Sequence, residues 1–203
     1  MSDLDGTYQE AFALLRSGTR EGRARAGDLF RAAADAGHTA SANNLAAMLQ
    51  HGNGTPQNTE EARFYYRLAA ENGLTIAAFN YGFMLLQGEG GAVDREAAKH
   101  WFERAASGDP PDTDAMTHLG RLALLGEETP DFDTARLWWE RGAELGDGRC
   151  AYNLGLAWLA GHGTEPAPVA AMSWLERAFE LGNPDAQWQL LRILESVGPE
   201  FKI

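Results

Sequence analysis

The 203-residue chain has a single cysteine, Cys150, so it cannot close an intrachain disulfide. No apolar run approaches the roughly 20 residues that a membrane-spanning helix needs. The opening residues MSDLDGTYQE are acidic and lack both a basic n-region and an apolar h-region, so no secretory signal is expected. Basic residues are outnumbered 17 to 29, for a formal net charge of −12. Nucleic acid and anionic membrane both repel an acidic surface, and neither is expected as the partner. These shortages together suit a cytoplasmic protein.

Sets of side chains that do chemistry are missing as well. The histidines, His38, His51, His100, His118 and His162, show no pair at metal-ligand spacing, and no second cysteine joins them. Gly88-Glu89-Gly90-Gly91 lacks the Gly-Lys-Ser/Thr ending of a phosphate loop and reads as a turn. Cys150 stands beside Arg149, which favours a thiolate, but it opens an apolar helix, where a thiol is inert. Acidic runs at 109–114 and 127–133 lack the oxygen spacing of a calcium loop and suit helix starts. No nucleophile, base and orienter come together, so neither an enzyme nor a cofactor is expected.

What the chain has is repetition. With 44% hydrophobic residues it can bury a substantial core, and a small residue after a large apolar one recurs along it. The copies are Leu45-Ala46, Tyr81-Gly82, Leu119-Gly120, Leu154-Gly155 and, more weakly, Leu190-Leu191, at steps of 36, 38, 35 and 36 residues. Six residues on from the first four come Gly52, Gly88, Gly126 and Gly161, with Gly54, Gly90 and Gly163 two later in three copies. Such glycines end a helix by taking positive φ.

The second half of each copy begins with alanine, has large residues at +3 and +4, and a small one at +7. The sets are Ala26/Leu29-Phe30/Ala33, Ala62/Tyr65-Tyr66/Ala69, Ala98/Trp101-Phe102/Ala105, Ala135/Trp138-Trp139/Gly142 and Ala171/Trp174-Leu175/Ala178. Offsets of 0, 3, 4 and 7 share one face of an α-helix. Each such helix stops at Gly37, Gly73, Gly108, Gly146 or Gly182. About eleven helices are expected, with no strand.

Neither helix of a pair can bury its stripe alone, so neighbouring pairs must stack. The expected organisation is a degenerate capping pair over 1–37, repeats over 38–73, 74–109, 110–146 and 147–182, and a capping helix with tail over 183–203. Trp138 and Trp174 are expected in the core.

The elements AYNLG at 151–155, GHG at 161–163, AMSWLERA at 171–178 and LG at 181–182, with FNYG, GEG and AKHWFERAA in an earlier copy, resemble the Sel1-like repeat, a relative of the tetratricopeptide repeat. The resemblance runs from about Ala26 to Leu194 and implies an all-α fold, a right-handed α-superhelix of antiparallel helix pairs. It further implies a role in protein–protein interaction and no chemistry. Secreted members stapled by paired cysteines form a subgroup from which this chain departs.

Comparing the copies separates packing from variation. With the small residue as zero, position −1 (Leu45, Tyr81, Leu119, Leu154, Leu190) and position +3 (Leu49, Leu85, Ala123, Trp158, Leu194) are apolar throughout and are expected to pack. Position −3 reads Asn43, Phe79, Thr117, Tyr152, Trp188, and +1, on the same stripe, reads Ala47, Phe83, Arg121, Leu156, Arg192. Its changing chemistry, rich in aromatics and arginine, marks a candidate binding groove on the concave side, though such aromatics also suit contact with the next repeat. Position −2 reads Asn44, Asn80, His118, Asn153, Gln189. That column suits either the backbone of an extended peptide or hydrogen bonds between helices, and His118 adds possible pH sensitivity.

The expected function is an adaptor or scaffold that holds a protein or peptide segment. An immunity-like inhibitor of one enzyme is the alternative, and a hydrolase with an unrecognised site a weaker one. The last helix, near Asp185 to Val197, is too apolar for an end that faces water. Either the tail Phe201 to Ile203 or a second copy, forming a homodimer, is expected to cover it.

Overall fold

The computed structural model describes residues 3–125, 130–161 and 165–197, without the side chains of the last two. Gly126, His162, Gly163, part of the 127–133 acidic run, the Val197 side chain and the tail Phe201 to Ile203 therefore lie outside the described residues. Within them are eleven α-helices and no strand. They fall into two compact units, Met1–Asp112 and Thr113–Ile203. The first holds α1 (Asp3–Arg16), α2 (Arg20–Asp35), α3 (Thr39–His51), α4 (Thr59–Glu71), α5 (Thr75–Gln87) and α6 (Arg95–Ala106). The second holds α7 (Thr113–Leu124), α8 (Phe132–Glu144), α9 (Gly148–Ala160), α10 (Pro168–Glu180) and α11 (Asp185–Val197). In each unit, helices adjacent in sequence pack on each other.

The recurring small residue is a seat for a large one. A Cβ added to Gly82 would stand 3.0 Å from Cε1 of Phe102, and one added to Gly155 would stand 2.6 Å from Cγ of Leu175. At Gly120 it would run into the Trp139 indole. The +4 residue of the second helix thus lies directly on the backbone of the first. All five +4 residues, Phe30, Tyr66, Phe102, Trp139 and Leu175, are buried, as are Ala26, Ala62, Ala98, Ala135 and Ala171 one turn earlier.

Two backbone hydrogen bonds recur around this seat. The N-cap residue of the second helix donates its N–H to the carbonyl at +3 of the first in four copies, α2 excepted: Asn58 to Leu49, Asp94 to Leu85 and Asp131 to Ala123 at 2.9 Å, Ala167 to Trp158 at 3.0 Å. Asn58, Asp94 and Asp131 also accept from the N–H three residues on, satisfying an orphan donor of the helix start. At the other end, the residue after a left-handed glycine donates to the +7 carbonyl: His38 to Ala33, Leu74 to Ala69, Asp147 to Gly142, Asn183 to Ala178.

The third copy departs from this. Gly108 does not take positive φ, and the Ala105 carbonyl accepts from Asp112, beyond the two prolines, at 3.0 Å. The longer 38-residue step reflects that insertion.

The core assignment needs correction at two places. Trp138 and Trp174 are only half-buried, and the guanidinium of Arg141 lies 5.9 Å from the Trp138 ring. The +4 residue is the one buried in every pair, because it faces the seat; of the +3 residues only Tyr65 is buried as well. At +3 of the first helices, Leu49 and Leu85 are buried but Leu194 is 45% exposed, since no second helix follows α11 among the described residues. Trp139→Ala is accordingly expected to cost about 3–5 kcal/mol of unfolding free energy through the cavity it leaves, and Trp138→Ala well under half of that; urea denaturation of the two variants measures the difference.

Candidate protein-binding surface

The stripe residues come from the first helices, α3 and α5 in one unit and α7, α9 and α11 in the other. Their variable chemistry does not free them from packing. In the first unit the Asn80 amide donates to Asn43 Oδ1 across adjacent first helices, and the Asn44 amide to the Tyr8 hydroxyl, both at 3.5 Å. Phe79 is half-buried, with its ring 5.7 Å from the buried Phe102 ring and 6.3 Å from that of Phe83.

In the second unit the Gln189 amide donates to the Tyr152 hydroxyl at 3.4 Å, and the Thr117 hydroxyl meets Cys150 Sγ at 3.1 Å. Position −2 of one repeat therefore reaches position −3, or α1's Tyr8, on the preceding first helix in three copies. The amide column links helices, leaving its remaining donors and acceptors for anything else. Asn153 and Leu156 are half-buried.

Part of the stripe stays outward within the second unit. Arg121 and Arg192 are exposed, and neither has an ion-pair partner among the described residues. Trp188, one turn before Arg192, is 71% exposed. Leu191 beside it is 45% exposed. Leucine stands here where interior copies have a small seat, so α11 offers a ridge.

His118 is half-buried on α7. Burial, reinforced by the positive charges of Arg121 and Arg149 and opposed by Asp114, holds its imidazole below the usual value. It is neutral near pH 7, and any proton-linked effect falls on the acid side. Cys150 is fully buried against Gly142, and burial pushes its thiol up to about 11 despite the contact with Thr117. The neighbouring Arg149 is engaged by Asp114 and, at 2.8 Å, by Asp147. The thiol is a packing group. Among the described residues no cluster of His, Cys, Asp and Glu is suited to a metal ion, and no helix is long and apolar enough to cross a membrane.

A family model for the Sel1 repeat matches residues 12–38, 39–74, 75–110, 113–147 and 148–183. The chain belongs to the Sel1 repeat family. Sel1 repeats generally mediate protein–protein interaction and are typically non-enzymatic. The fold class is all-α, of stacked antiparallel helix pairs, and solved Sel1 structures share it. A Sel1 repeat protein from Oxalobacter formigenes is similar at 27% identity over 98% of this chain and 82% of that one, with a TM-score of 0.82. The c5321 protein, a protective antigen of uropathogenic Escherichia coli strains, is similar at 21% identity over 94% of this chain, which spans 48% of that one, with a TM-score of 0.58. Immunity protein Pa5087 from Pseudomonas aeruginosa is similar at 19% identity over all of this chain and 74% of that one, with a TM-score of 0.55. No match was found among curated proteins.

Comparison of the copies in sequence singled out Arg121 and Arg192, which are exposed, and left −3 and −2 open between ligand contact and contact between helices; the structure of this Sel1 chain adds the hydrogen bonds between helices. The signal for those bonds lies in pairs: in three copies the −2 amide has a polar or hydroxyl-bearing partner about 36 residues earlier in the same chain.

Burial of His118 has a measurable sign. With the folded-state value lowered, the unfolded chain binds the proton more readily, so stability falls as pH drops below the ordinary imidazole value of about 6.5. An NMR titration is expected to place the His118 midpoint on the acid side of that value, and a His118→Gln variant to lose that part of the acid sensitivity.

Proposed function

We propose that this Sel1 protein is an adaptor that holds a segment of a partner protein on the first-helix faces of its repeats, with the α7–α9–α11 face as the main contact. The carrying observation is the pair of exposed arginines, Arg121 and Arg192, without an ion-pair partner among the described residues of a chain of net charge −12, together with the exposed indole of Trp188. Arginine and tryptophan are the side chains that most often dominate binding energy at interfaces. Tyr152, Leu156, Thr117, His118, Asn153 and Gln189 form the half-buried floor around them. In the first unit, Phe79 and Phe83 with Asn43, Asn44 and Asn80 offer a flatter apolar face of the same kind. The setting proposed is the cytoplasm, supported by the lone, inert thiol.

An immunity-type role is the same contact with a different client: the bound segment then belongs to an enzyme, and docking blocks it. The likeness to immunity protein Pa5087 carries the fold and not the client.

Trp188→Ala and Arg192→Ala are each expected to weaken partner binding by about 2 kcal/mol or more and to leave the thermal midpoint in place, because both side chains are largely in solvent. Phe79→Ala, by contrast, removes a ring packed on Phe102 and is expected to lower stability. Calorimetric titration with a partner captured by the wild-type chain, run beside thermal melts, separates the effects; unchanged affinity in both α11 variants would sink the proposal.

A homodimer is a second reading, favoured by Leu191 and Leu194, each 45% exposed on one side of α11. Light scattering is expected to show concentration-dependent mass in the wild-type chain and a monomer for Leu191→Glu; a wild-type monomer at high concentration removes it.

A further inference from the structure

We propose that a cavity in the first unit, between α2 and the Gly52–Pro56 turn, receives acidic side chains of a partner polypeptide. Its volume is about 490 Å³, and it is lined by Arg20, Arg23 and Ala24 on one side and by residues 52–56 on the other. Arg20 and Arg23 are three residues apart and so share a helix face. Glu21 points elsewhere, about 100° round the helix from Arg20.

The arginines of α2 divide by partner. Arg25 pairs with Glu10 at 3.3 Å, and Arg31 pairs with Glu61. Arg20 and Arg23 have no ion-pair partner among the described residues, although the chain carries 29 carboxylate side chains. Their charge is left for a ligand.

The opposite wall is built rather than loose. Gly54, at φ +84°, lies so close to α2 that an added Cβ would stand 2.6 Å from the carbonyl carbon of Arg23. Asn53 N–H donates to the Met48 carbonyl and Asn58 N–H to the Leu49 carbonyl, each at 2.9 Å, fixing both ends of the turn. Thr55, on this wall, has a hydroxyl oxygen out of solvent with no hydrogen-bond partner among the described residues. Two guanidiniums are donors for carboxylate oxygens, which guanidinium grips in bidentate fashion. The void is far larger than one inorganic anion and suits adjacent Asp or Glu side chains on a chain. The site belongs wholly to the first unit and does not depend on α11.

Amide chemical-shift titration of the full chain with acetylated tetra-aspartate amide tests this, with tetra-asparagine amide and inorganic phosphate as separate arms. The expected result is a saturable shift of Gly52, Asn53, Gly54 and Thr55 with tetra-aspartate alone, weakened at least tenfold in Arg20→Gln/Arg23→Gln. Should the double variant lose its thermal transition, the exposed Arg20→Gln alone is expected to weaken binding at least threefold. No shift at the turn, equal affinity in the variants, or tighter binding of phosphate than of tetra-aspartate overturns the proposal.

Discussion

Everything regular in this chain depends on one contact, a large +4 side chain lying on the backbone of a small residue. Because Gly82, Gly120 and Gly155 lack a Cβ, Phe102, Trp139 and Leu175 fill the space between paired helices without pushing them apart. Buried interiors tolerate neither void nor overlap. The seat therefore fixes the spacing of the pair, and the spacing brings the N-cap N–H within 2.9–3.0 Å of the +3 carbonyl in four copies. Where the seat is replaced by Leu191, a second helix of the interior kind cannot approach, and Leu194 stays partly in water.

A scaffold closed by backbone hydrogen bonds and small-on-large packing makes few demands elsewhere. The links between successive first helices use whatever polar pair is present: amide to amide at Asn80–Asn43, amide to phenol at Gln189–Tyr152 and Asn44–Tyr8, hydroxyl to thiol at Thr117–Cys150. Each is individually modest. Chemistry at −3 and −2 can thus change between copies while the helices stay in register, which is how variation and packing coexist on one stripe.

The repeat and its helices were legible because the same offsets recur, and recurrence within one chain does the work of comparison between chains. The offsets alone could not tell which of two adjacent aromatics faces the seat: Trp138 and Trp139 both fall on the apolar arc, and only the three-dimensional approach of Gly120 selects Trp139. Nor could they show that Leu194 lacks cover, since a pattern describes a residue's own helix and not the absence of its neighbour. At Gly108 the helix stops as the spacing indicates, but the following Asp109-Pro110-Pro111 reroutes the chain so that Asp112 takes the carbonyl bond, which the offsets alone did not show. Of the Arg20–Arg23 cavity the sequence shows only that Arg16, Arg20, Arg23, Arg25 and Arg31 gather in an otherwise acidic chain. Its far wall comes some thirty residues later, from a turn whose glycines looked like caps.

Arginine shows where the fold ends and recognition begins. On the second helices, Arg31 braces Glu61 and Tyr65, Arg104 lies 4.5 Å over Trp101 and donates to the Ala70 carbonyl, and Arg136 covers Trp158 at 5.2 Å. These cations join elements, and burying their stems against aromatics lowers the cost of holding them still. Arg20, Arg23, Arg121 and Arg192 do none of this. Among the described residues no ion pair holds these four cations, in a chain of net charge −12. If these cations receive acidic ligands as proposed, an acidic protein would select them at a few places while repelling them elsewhere, and position, not net charge, would decide what it binds.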